Sequence, residues 1–321
     1  MKPNPLLDLL SDHCVHSGES LAKQLGVSRT AVWKQIRKVE AEGIEIKTIR
    51  GQGYQLVTAL DLLDREKIVE GLKGASEEKL DVVVLKAVDS TNAEVARRLS
   101  APSPDMPVVL ADAQTEGRGR RGRNWTSPKG QNLYMSMGLT LRGGFEGLSG
   151  LSLVLGVAVV RALSVLGVEG AGLKWPNDLY AGGKKFGGIL VEIQGELQEG
   201  QVQVIAGLGI NVHMTAAAEV DQPWTSLAKH WPDHKWTRNE LAAAVINAVT
   251  EAMGQFEDHG FAGFKDEWQG HDIFLGKPLA AKDGTLSGIG AGVDAGGNYQ
   301  LDTDAGLRSV MAGDISLRVS V

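Results

Sequence analysis

Four arginines alternate with three glycines over residues 117–123, which read Gly-Arg-Gly-Arg-Arg-Gly-Arg. Glycine lets backbone amides approach a ligand closely, and arginine offers a planar fork of donors that matches phosphate and carboxylate oxygens. The segment therefore predicts an anion-binding loop. The alternative is a disordered Arg-Gly tract of the RNA-binding type. Because the tract occurs once and ordered-looking sequence follows it directly, the loop is favoured.

Two common ways of binding a nucleotide are excluded by the glycine spacing. The chain contains no Walker A pattern, so ATP would not be bound by a P-loop. Residues 207–211 begin like a dinucleotide-binding fingerprint but lack its third glycine. A single cysteine, Cys14, also excludes an intrachain disulfide and argues against a cysteine-based metal site.

The N-terminal segment has the pattern of a helix-turn-helix followed by a wing. Leu6, Leu7, Leu9 and Leu10 fall on one face of a first predicted helix, and a second helix is predicted over 19–25. Ser28 is placed to cap a third helix, whose apolar residues recur at Val32, Ile36 and Val39 before a stop at Gly43. The runs 44–49 and 54–57 alternate like two strands around a glycine-containing turn. This order is typical of winged helix-turn-helix modules.

Basic residues cover the outer face of the third helix and the wing turn. Residues 1–57 carry eight Lys or Arg against six Asp or Glu, whereas the whole chain has a net charge of −6. A basic head on an acidic body is suited to a polyanion. The predicted DNA contacts are Ser28, Arg29, Thr30, Lys34 and Arg50. A module that only contacts protein is the alternative.

The rest of the chain reads as α+β. Strands are predicted over 82–85, 108–111, 134–139, 189–193 and 202–208, and helices over 62–72, 92–99, 151–166 and 238–259. A polar break at 74–78 separates the first of these helices from the body. Short strands over 279–282, 286–293, 299–302, 308–312 and 315–319 indicate a small β-barrel. The apolar run 148–160 is too short to span a bilayer, and the N-terminus lacks a signal peptide, so a cytoplasmic protein is predicted.

Five motifs occur in order along the chain, and together they resemble the bifunctional biotin–protein ligases that also repress the biotin operon. They are Asp89-Ser90-Thr91-Asn92; Gln114 with residues 117–123 and Trp125; Lys174-Trp175-Pro176-Asn177-Asp178; Lys185-Phe186-Gly187-Gly188-Ile189-Leu190; and Gly207 with Gly209-Ile210-Asn211. The resemblance covers the whole chain. It implies a winged helix-turn-helix domain over 1–63, a central mixed α/β ligase domain similar to class II synthetases over 64–271, and an SH3-like small β-barrel over 272–321.

The resemblance also implies the reaction and its partners. Biotin and ATP, with Mg²⁺ as cofactor, would form biotinoyl-5′-AMP. The acyl group would then pass to a lysine of a biotin carboxyl carrier domain. Operator DNA would be the second macromolecular partner, bound by a homodimer that the ligand promotes. No membrane partner is expected. Two alternatives are a lipoate-type ligase that shares the body fold and a regulator that only senses its ligand.

By resemblance, the site residues fall into three overlapping groups. The biotin-binding group is Ser90, Thr91, Asn92, Gln114, Arg118, Gly119, Arg120 and Lys185. The ATP and adenylate group is Arg118, Arg120, Arg121, Lys174, Asn211 and Trp224. The catalytic group is Arg120, Lys185 and Asp178, and Asp178 is also the candidate Mg²⁺ ligand.

Several of these assignments have structural alternatives. Ser90 and Thr91 are also placed to cap a helix. Asp178 and Lys174, four residues apart, are also placed for a structural ion pair. Trp224 is expected to stack on adenine or else to lie in the core. Lys185 is preferred over Lys184 because it matches the family's pattern.

Overall fold

The structure is a computed structural model and describes residues 5–12, 14–41, 44–57, 60–73, 80–100, 106–142, 144, 146–198, 200–217, 220, 222–281, 284–311 and 317–319. Five features predicted from the sequence lie outside these residues. They are the helix stop at Gly43, the polar break at 74–78, and the strand ends at 282, 312 and 315–316.

The head consists of three helices and a two-stranded wing around a core of its own. Its elements are α1 (Pro5–Leu10), α2 (Gly18–Leu25), α3 (Arg29–Ala41), β1 (Ile46–Ile49) and β2 (Gly53–Leu56). The predicted cap is present, since Ser28 Oγ accepts a hydrogen bond from the Ala31 amide at 3.2 Å. Gly26 ends α2 with a φ of 64°, a left-handed conformation that favours glycine. The helix-turn-helix and its wing are therefore confirmed.

The body is built on one seven-stranded sheet in the order β3-β4-β5-β9-β8-β7-β6. Its strands are β3 (Leu80–Leu85), β4 (Met106–Ala111), β5 (Asn132–Arg142), β6 (Gly172–Lys174), β7 (Asp178–Ala181), β8 (Lys184–Gln198) and β9 (Gln201–Asn211). β3 and β4 are parallel, while the other neighbours are antiparallel. The parallel pair needs a crossover, which α5 (Thr91–Leu99) supplies.

Helices cover both faces of this sheet. α6 (Leu151–Val165) packs with α8 (Arg238–His259) on the main core, and Val95 of α5 packs on the opposite face. α6 is apolar on nearly every side because it is buried on nearly every side. None of the helices within the described ranges has the length and apolarity needed to cross a membrane. The short helices α4 (Arg65–Glu70), α7 (Leu227–His230) and α9 (Lys265–Gly270) complete the set.

The helix predicted over 62–72 is wrong at its ends, because only Arg65–Glu70 is helical. Asp64 caps its start by accepting the amide of Glu66 at 3.0 Å. The preceding segment is held extended instead by the first residues of α8. The fully buried Arg238 guanidinium donates to the Asp61 carbonyl and, at 2.7 Å, to Asp112. This tertiary clamp outweighs the local helical propensity of the linker.

The C-terminal unit is a five-stranded antiparallel sheet in the order β13-β12-β11-β10-β14. Its strands are β10 (Pro278–Ala281), β11 (Ser287–Val293), β12 (Tyr299–Thr303), β13 (Gly306–Val310) and β14 (Leu317–Val319). Within the described ranges β13 and β14 are free edges, so the unit is β-rich without being closed. It shares the main core of the body, with Tyr299 and Leu301 packed beside Trp175 and Trp268.

Candidate active site

An open cleft lies where β8, β9, the start of α5, the arginine loop, the β6–β7 hairpin and β14 meet. It encloses about 1340 Å³, including the space at its mouth. Its polar lining comes mainly from Ser90, Thr91, Asn92, Gln114, Arg118, Arg120, Arg121, Arg123, Asn124, Lys174, Asn177, Asp178, Lys185, Gln222 and Arg318. Four of the five sequence motifs therefore reach one cavity with their polar side chains. The fifth supplies Gly207 and Gly209 to its wall.

The arginine loop is a closed hairpin. The Gly119 amide donates to the Arg123 carbonyl at 2.8 Å, and the Trp125 amide donates to the Gly117 carbonyl at 2.9 Å. Arg121 and Gly122 form its tip with φ angles of 58° and 70°. Two successive positive φ angles are typical of the tight turn that joins two antiparallel segments. This backbone holds four guanidinium groups at the cleft.

A chain of buried polar groups forms the closed end of the cleft. Gln114 Oε1 accepts from the Thr91 amide at 2.9 Å and lies 3.1 Å from Thr91 Oγ1, while Gln114 Nε2 donates to Ser127 Oγ. Ser90 occupies the position before α5, yet its side chain makes no capping hydrogen bond. Ser90 therefore occupies the position of a helix cap without making the capping hydrogen bond. Hydroxyl and amide groups of this kind suit an uncharged ligand head that both donates and accepts.

A pair of glycines makes room for the Trp125 ring on the floor of the cleft. Gly188 and Gly209 face each other across β8 and β9. A Cβ on Gly209 would lie 2.7 Å from the Trp125 indole, and one on Gly188 would lie 3.5 Å from it. The Lys185 ammonium sits 5.5 Å from the centre of the same ring. The glycines of two motifs therefore serve to place Trp125.

Two anchored cations face the middle of the cleft. Arg120 Nη1 donates to Asn177 Oδ1 at 3.1 Å, and Asn177 Nδ2 in turn donates to the Ile189 carbonyl at 2.6 Å. Burial lowers the pKa of Arg120, and the neighbouring Arg121 charge adds to this. Lys185 Nζ contacts Asp178 Oδ1 at 2.5 Å, with both side chains largely buried. Asp178 therefore forms an ion pair, but its partner is Lys185 and not Lys174.

Lys174 stands directly opposite Asp178 in the β6–β7 hairpin. Its ammonium donates to Tyr180 Oη at 3.2 Å and lies over the rings of Tyr180 and Phe274. Burial lowers the pKa of Lys174, opposed by Asp178 and reinforced by Lys185 and two arginines. Burial also raises the pKa of Tyr180 to about 12, so Tyr180 keeps its proton near neutral pH.

Positive charge dominates the cleft. Its described lining contains seven Lys or Arg side chains and one carboxylate, that of Asp178. Such a wall attracts a substrate that carries several negative charges. Nowhere in the described ranges, the cleft included, are three or more His, Cys, Asp or Glu side chains grouped so that they could hold a metal ion.

Two predicted nucleotide contacts do not line the cleft. Asn211 is buried and donates to the Thr225 carbonyl at 3.0 Å. Trp224 pairs with Lys185 in an isolated bridge, and the Lys229 ammonium lies 4.4 Å from its ring centre. The sequence reasoning also missed lining residues. Asn177 could have been found inside its motif, whereas Arg318 comes from β14 and carries no local signal.

The predicted DNA contacts all lie at exposed positions of the head. Ser28, Arg29, Thr30, Lys34 and Arg50 are all exposed at the start of α3, along it, or in the wing turn. Trp33 is also 48% exposed, and the Arg37 guanidinium lies 5.6 Å from its ring centre.

Comparison with known proteins gives consistent matches over the head and the body. Residues 84–211 match the model of the Biotin/lipoate A/B protein ligase family, and residues 5–55 match an HTH domain. The chain is 38% identical to the bifunctional ligase/repressor BirA of Escherichia coli (strain K12), covering 98% of this chain and 97% of that protein. Bifunctional ligase/repressor BirA of Bacillus subtilis (strain 168) is 32% identical over 94% of this chain and 93% of its own length.

Among solved structures, the biotin protein ligase from Aquifex aeolicus in complex with biotin and ATP is similar with a TM-score of 0.64. It is 30% identical and covers 74% of this chain and 99% of its own length.

Proposed function

The chain belongs to the family of bifunctional biotin–protein ligases and repressors, and from that membership we propose the chemistry of its cleft. It is a biotin–protein ligase with a helix-turn-helix repressor domain. We propose that the cleft joins biotin and ATP into biotinoyl-5′-AMP and then transfers biotin to a lysine of a carrier protein. The observation that carries this proposal is the charge of the cleft: seven cationic side chains and one carboxylate surround a polar, uncharged closed end.

In the first step, a carboxylate oxygen of biotin attacks the α-phosphorus of ATP, and the bond to pyrophosphate breaks. Two anions must approach each other for this to happen, so fixed cations lower the barrier. Arg118 and Arg120 hold the carboxylate and the phosphate. Arg120 is pre-organised by its contact with Asn177, so little side-chain freedom is lost when the substrates bind.

In the second step, a neutral lysine amine of the carrier attacks the acyl carbon, and AMP leaves. Lys185 stabilises the charge that develops on the acyl-phosphate oxygens, and Asp178 orients Lys185 through their 2.5 Å contact. Arg121 and Lys174 bind the polyphosphate. We also keep Asn211, at the end of β9, and Trp224 as proposed nucleotide contacts, although neither lines the cleft.

Mg²⁺ fits this site through a single protein ligand. A magnesium ion carried on ATP phosphates keeps several waters and needs only one or two carboxylates. Asp178 is the one carboxylate of the described lining. It would hold the ion, whose contribution is to neutralise phosphate charge.

The proposal extends to the architecture. We propose domain boundaries at 1–63, 64–271 and 272–321. The first boundary lies at the end of the linker, where Leu60 packs on the head core and Leu63 already packs on the main core. We assign the C-terminal sheet to the SH3-like barrels on the basis of its five short antiparallel strands and the bulge between Gly290 and Val293. Because the proposed substrates, carrier protein and DNA would all be met in the cytoplasm, we propose that the protein acts there.

A direct assay tests the ligase activity. The purified chain is incubated with ATP, Mg²⁺, an apo carrier domain and either biotin or lipoate. We expect AMP release and biotin transfer. Lys185→Met should lower kcat by at least about 100-fold, the scale of losing one transition-state contact. Its neighbour Lys184 is exposed and serves as the matched control. Transfer of lipoate but not biotin would contradict the proposal.

Regulation is tested separately. We propose that the adenylate promotes a homodimer whose two heads span a two-fold operator. Binding to DNA from upstream of the biotin genes should tighten when biotin and ATP are added, at one fixed salt concentration. Sedimentation should show a matching rise in mass. An unchanged mass with both ligands would exclude the coupling through dimerisation.

A further inference from the structure

Two polar side chains behind the cleft, Ser136 and Glu192, are joined to its lining by hydrogen bonds, although neither is part of the described lining. We propose that they are positioning residues that make Thr91 a hydrogen-bond acceptor toward the ligand. The inference rests on the proposed function, because the ligand in question is the ureido ring of biotin. It assigns to the pocket a polarity that the lining residues do not determine by themselves.

Glu192 sets the orientation of the Asn92 amide. Its Oε2 lies 2.6 Å from Asn92 Nδ2, and Arg118 Nη2 approaches the same oxygen at 3.4 Å. A carboxylate can only accept, so the amino side of the Asn92 amide must face Glu192. The carbonyl oxygen, Asn92 Oδ1, then points the other way. Both Asn92 and its neighbour Thr91 are only 4% exposed, so water does not compete.

Ser136 links the Asn92 amide to the Thr91 hydroxyl by hydrogen bonds. Its Oγ lies 2.6 Å from Asn92 Oδ1 and 2.7 Å from Thr91 Oγ1, and the residue is fully buried. A hydroxyl has one hydrogen, and Asn92 Oδ1 can only accept, so the Ser136 hydrogen goes to Asn92. The Ser136 oxygen is left to accept from Thr91. The Thr91 hydrogen is thereby drawn away from Gln114, whose Oε1 is the more distant acceptor at 3.1 Å.

We call the hydrogen bonds that run from Glu192 through Asn92 and Ser136 to Thr91 the relay. The backbone leaves room for it. A Cβ on Gly207 would lie 2.2 Å from Asn92 Oδ1, which is closer than any real contact. Glycine at this point of β9 is therefore required for the buried amide to sit where Ser136 can reach it. The motif glycine is explained by a polar contact and not by a turn, since Gly207 lies within β9.

The consequence for the ligand is a defined donor and acceptor pattern. Thr91 Oγ1, having given its hydrogen to Ser136, offers lone pairs to the cleft. The Thr91 amide already occupies Gln114 Oε1 at 2.9 Å. A ring N–H of the ureido group therefore finds an acceptor at Thr91. Methylation of that nitrogen removes the donor and should be penalised more when the relay is intact.

The experiment compares ligands and variants in one cycle. Calorimetry measures Kd for biotin and for the two biotins methylated at either ureido nitrogen, on the full chain. Glu192→Leu removes the acceptor and frees the Asn92 amide to turn over. Discrimination is the ratio of the Kd of a methylated biotin to the Kd of biotin. For one of the two methylated ligands, we expect this ratio to fall about three- to tenfold in the variant, the range of one hydrogen bond. Ser136→Ala should reduce it by a similar factor.

Glu192→Gln separates the relay from a simple charge effect. Glutamine keeps an oxygen for the Asn92 amide but loses the charge near Arg118, so it should restore the wild-type discrimination within about twofold. If Gln and Leu behave alike, Glu192 acts through charge and the relay is wrong. The control Ser226→Ala removes another fully buried hydroxyl, one that caps α7. It should lower stability and leave discrimination unchanged.

The outcomes also separate the two proposals. If the wild type binds biotin and every variant discriminates as the wild type does, the relay is wrong and the proposed ligase activity is unaffected. Absence of biotin binding by the wild type overturns both.

Discussion

Gly209 has no side chain because the Trp125 indole occupies the space that a Cβ would need. In Gly209→Ala the ring must move, and with it the end of the arginine hairpin and the Lys185 contact. We expect kcat/KM for biotin adenylation to fall at least about tenfold, as misplacement near 1 Å can cost more. The measurement is AMP formation at several biotin and ATP concentrations.

Gly254→Ala is the matched control for that variant. Gly254 lies in α8, and a Cβ there meets nothing within 4 Å. Alanine is favoured over glycine inside a helix by about 1 kcal/mol, so this variant should be slightly more stable and equally active. Full activity of Gly209→Ala would show that Trp125 does not shape the cleft.

At the residue scale, the motif residues could be predicted from the sequence, but the residues that position them could not. The arginine loop, Gln114 and Lys185 could be found because their types and spacing carry chemistry. Ser136 and Glu192 could not, because an isolated serine or glutamate in a strand has no local signal. Their roles arise from the pairing of β5, β8 and β9, which brings distant positions together.

At the scale of elements, the junction between β6 and the C-terminal sheet contains a buried acid, Asp272. Burial raises its pKa to about 6, although the Phe274 amide and the Tyr299 hydroxyl donate to it at 2.9 and 2.8 Å. The pKa of the folded state therefore exceeds the ordinary value of 3.8. The folded chain binds more protons between those values, so stability should fall as pH rises from about 4 to about 6 and stay level above.

Asp272→Asn tests this pH dependence. The amide resembles the protonated acid, so the variant should gain roughly 2–3 kcal/mol over the wild type at pH 7.5 and little at pH 4. Thermal unfolding at both pH values measures the difference. Asp302→Asn, an exposed acid of β12, is the control and should give the same small change at both. A pH-independent gain at position 272 would exclude the titration.

Long, strongly patterned elements were predictable, and short ones were not. The helix α6 followed from the length of its apolar run, and α3 followed from its cap and its apolar periodicity. The three- and four-residue strands β6 and β7 are absent from the predicted strands, because they are too short to show a pattern. The C-terminal strands were found from their turns, but their order in the sheet, with β14 beside β10, has no local signal in the sequence.

At the scale of the whole molecule, the head is tied to the ligase body at two places. Arg238 and Asn239 clamp the linker, with Asn239 bonded to the Asp64 amide at 2.8 Å and to the Leu62 carbonyl at 3.1 Å. Lys129 pairs with Asp8 of α1, and Gly130 beside it lies against Leu60 of the linker. Three domains could be expected from the sequence, but these ties could not, because each joins segments at least 70 residues apart.

Lys129 is only 8% exposed, so its pairing with Asp8 fixes the head close to the loop that follows Ser127. In Lys129→Met the apolar stem is kept and the ion pair is lost. We expect the head to move more freely, with limited proteolysis in the linker at least about threefold faster, since local opening governs cleavage. Biotin adenylation should stay within about twofold of wild type. Lys34→Met, on the exposed face of α3, should weaken DNA binding without changing the proteolysis rate. Equal proteolysis of Lys129→Met and wild type would mean that the linker clamp alone holds the head.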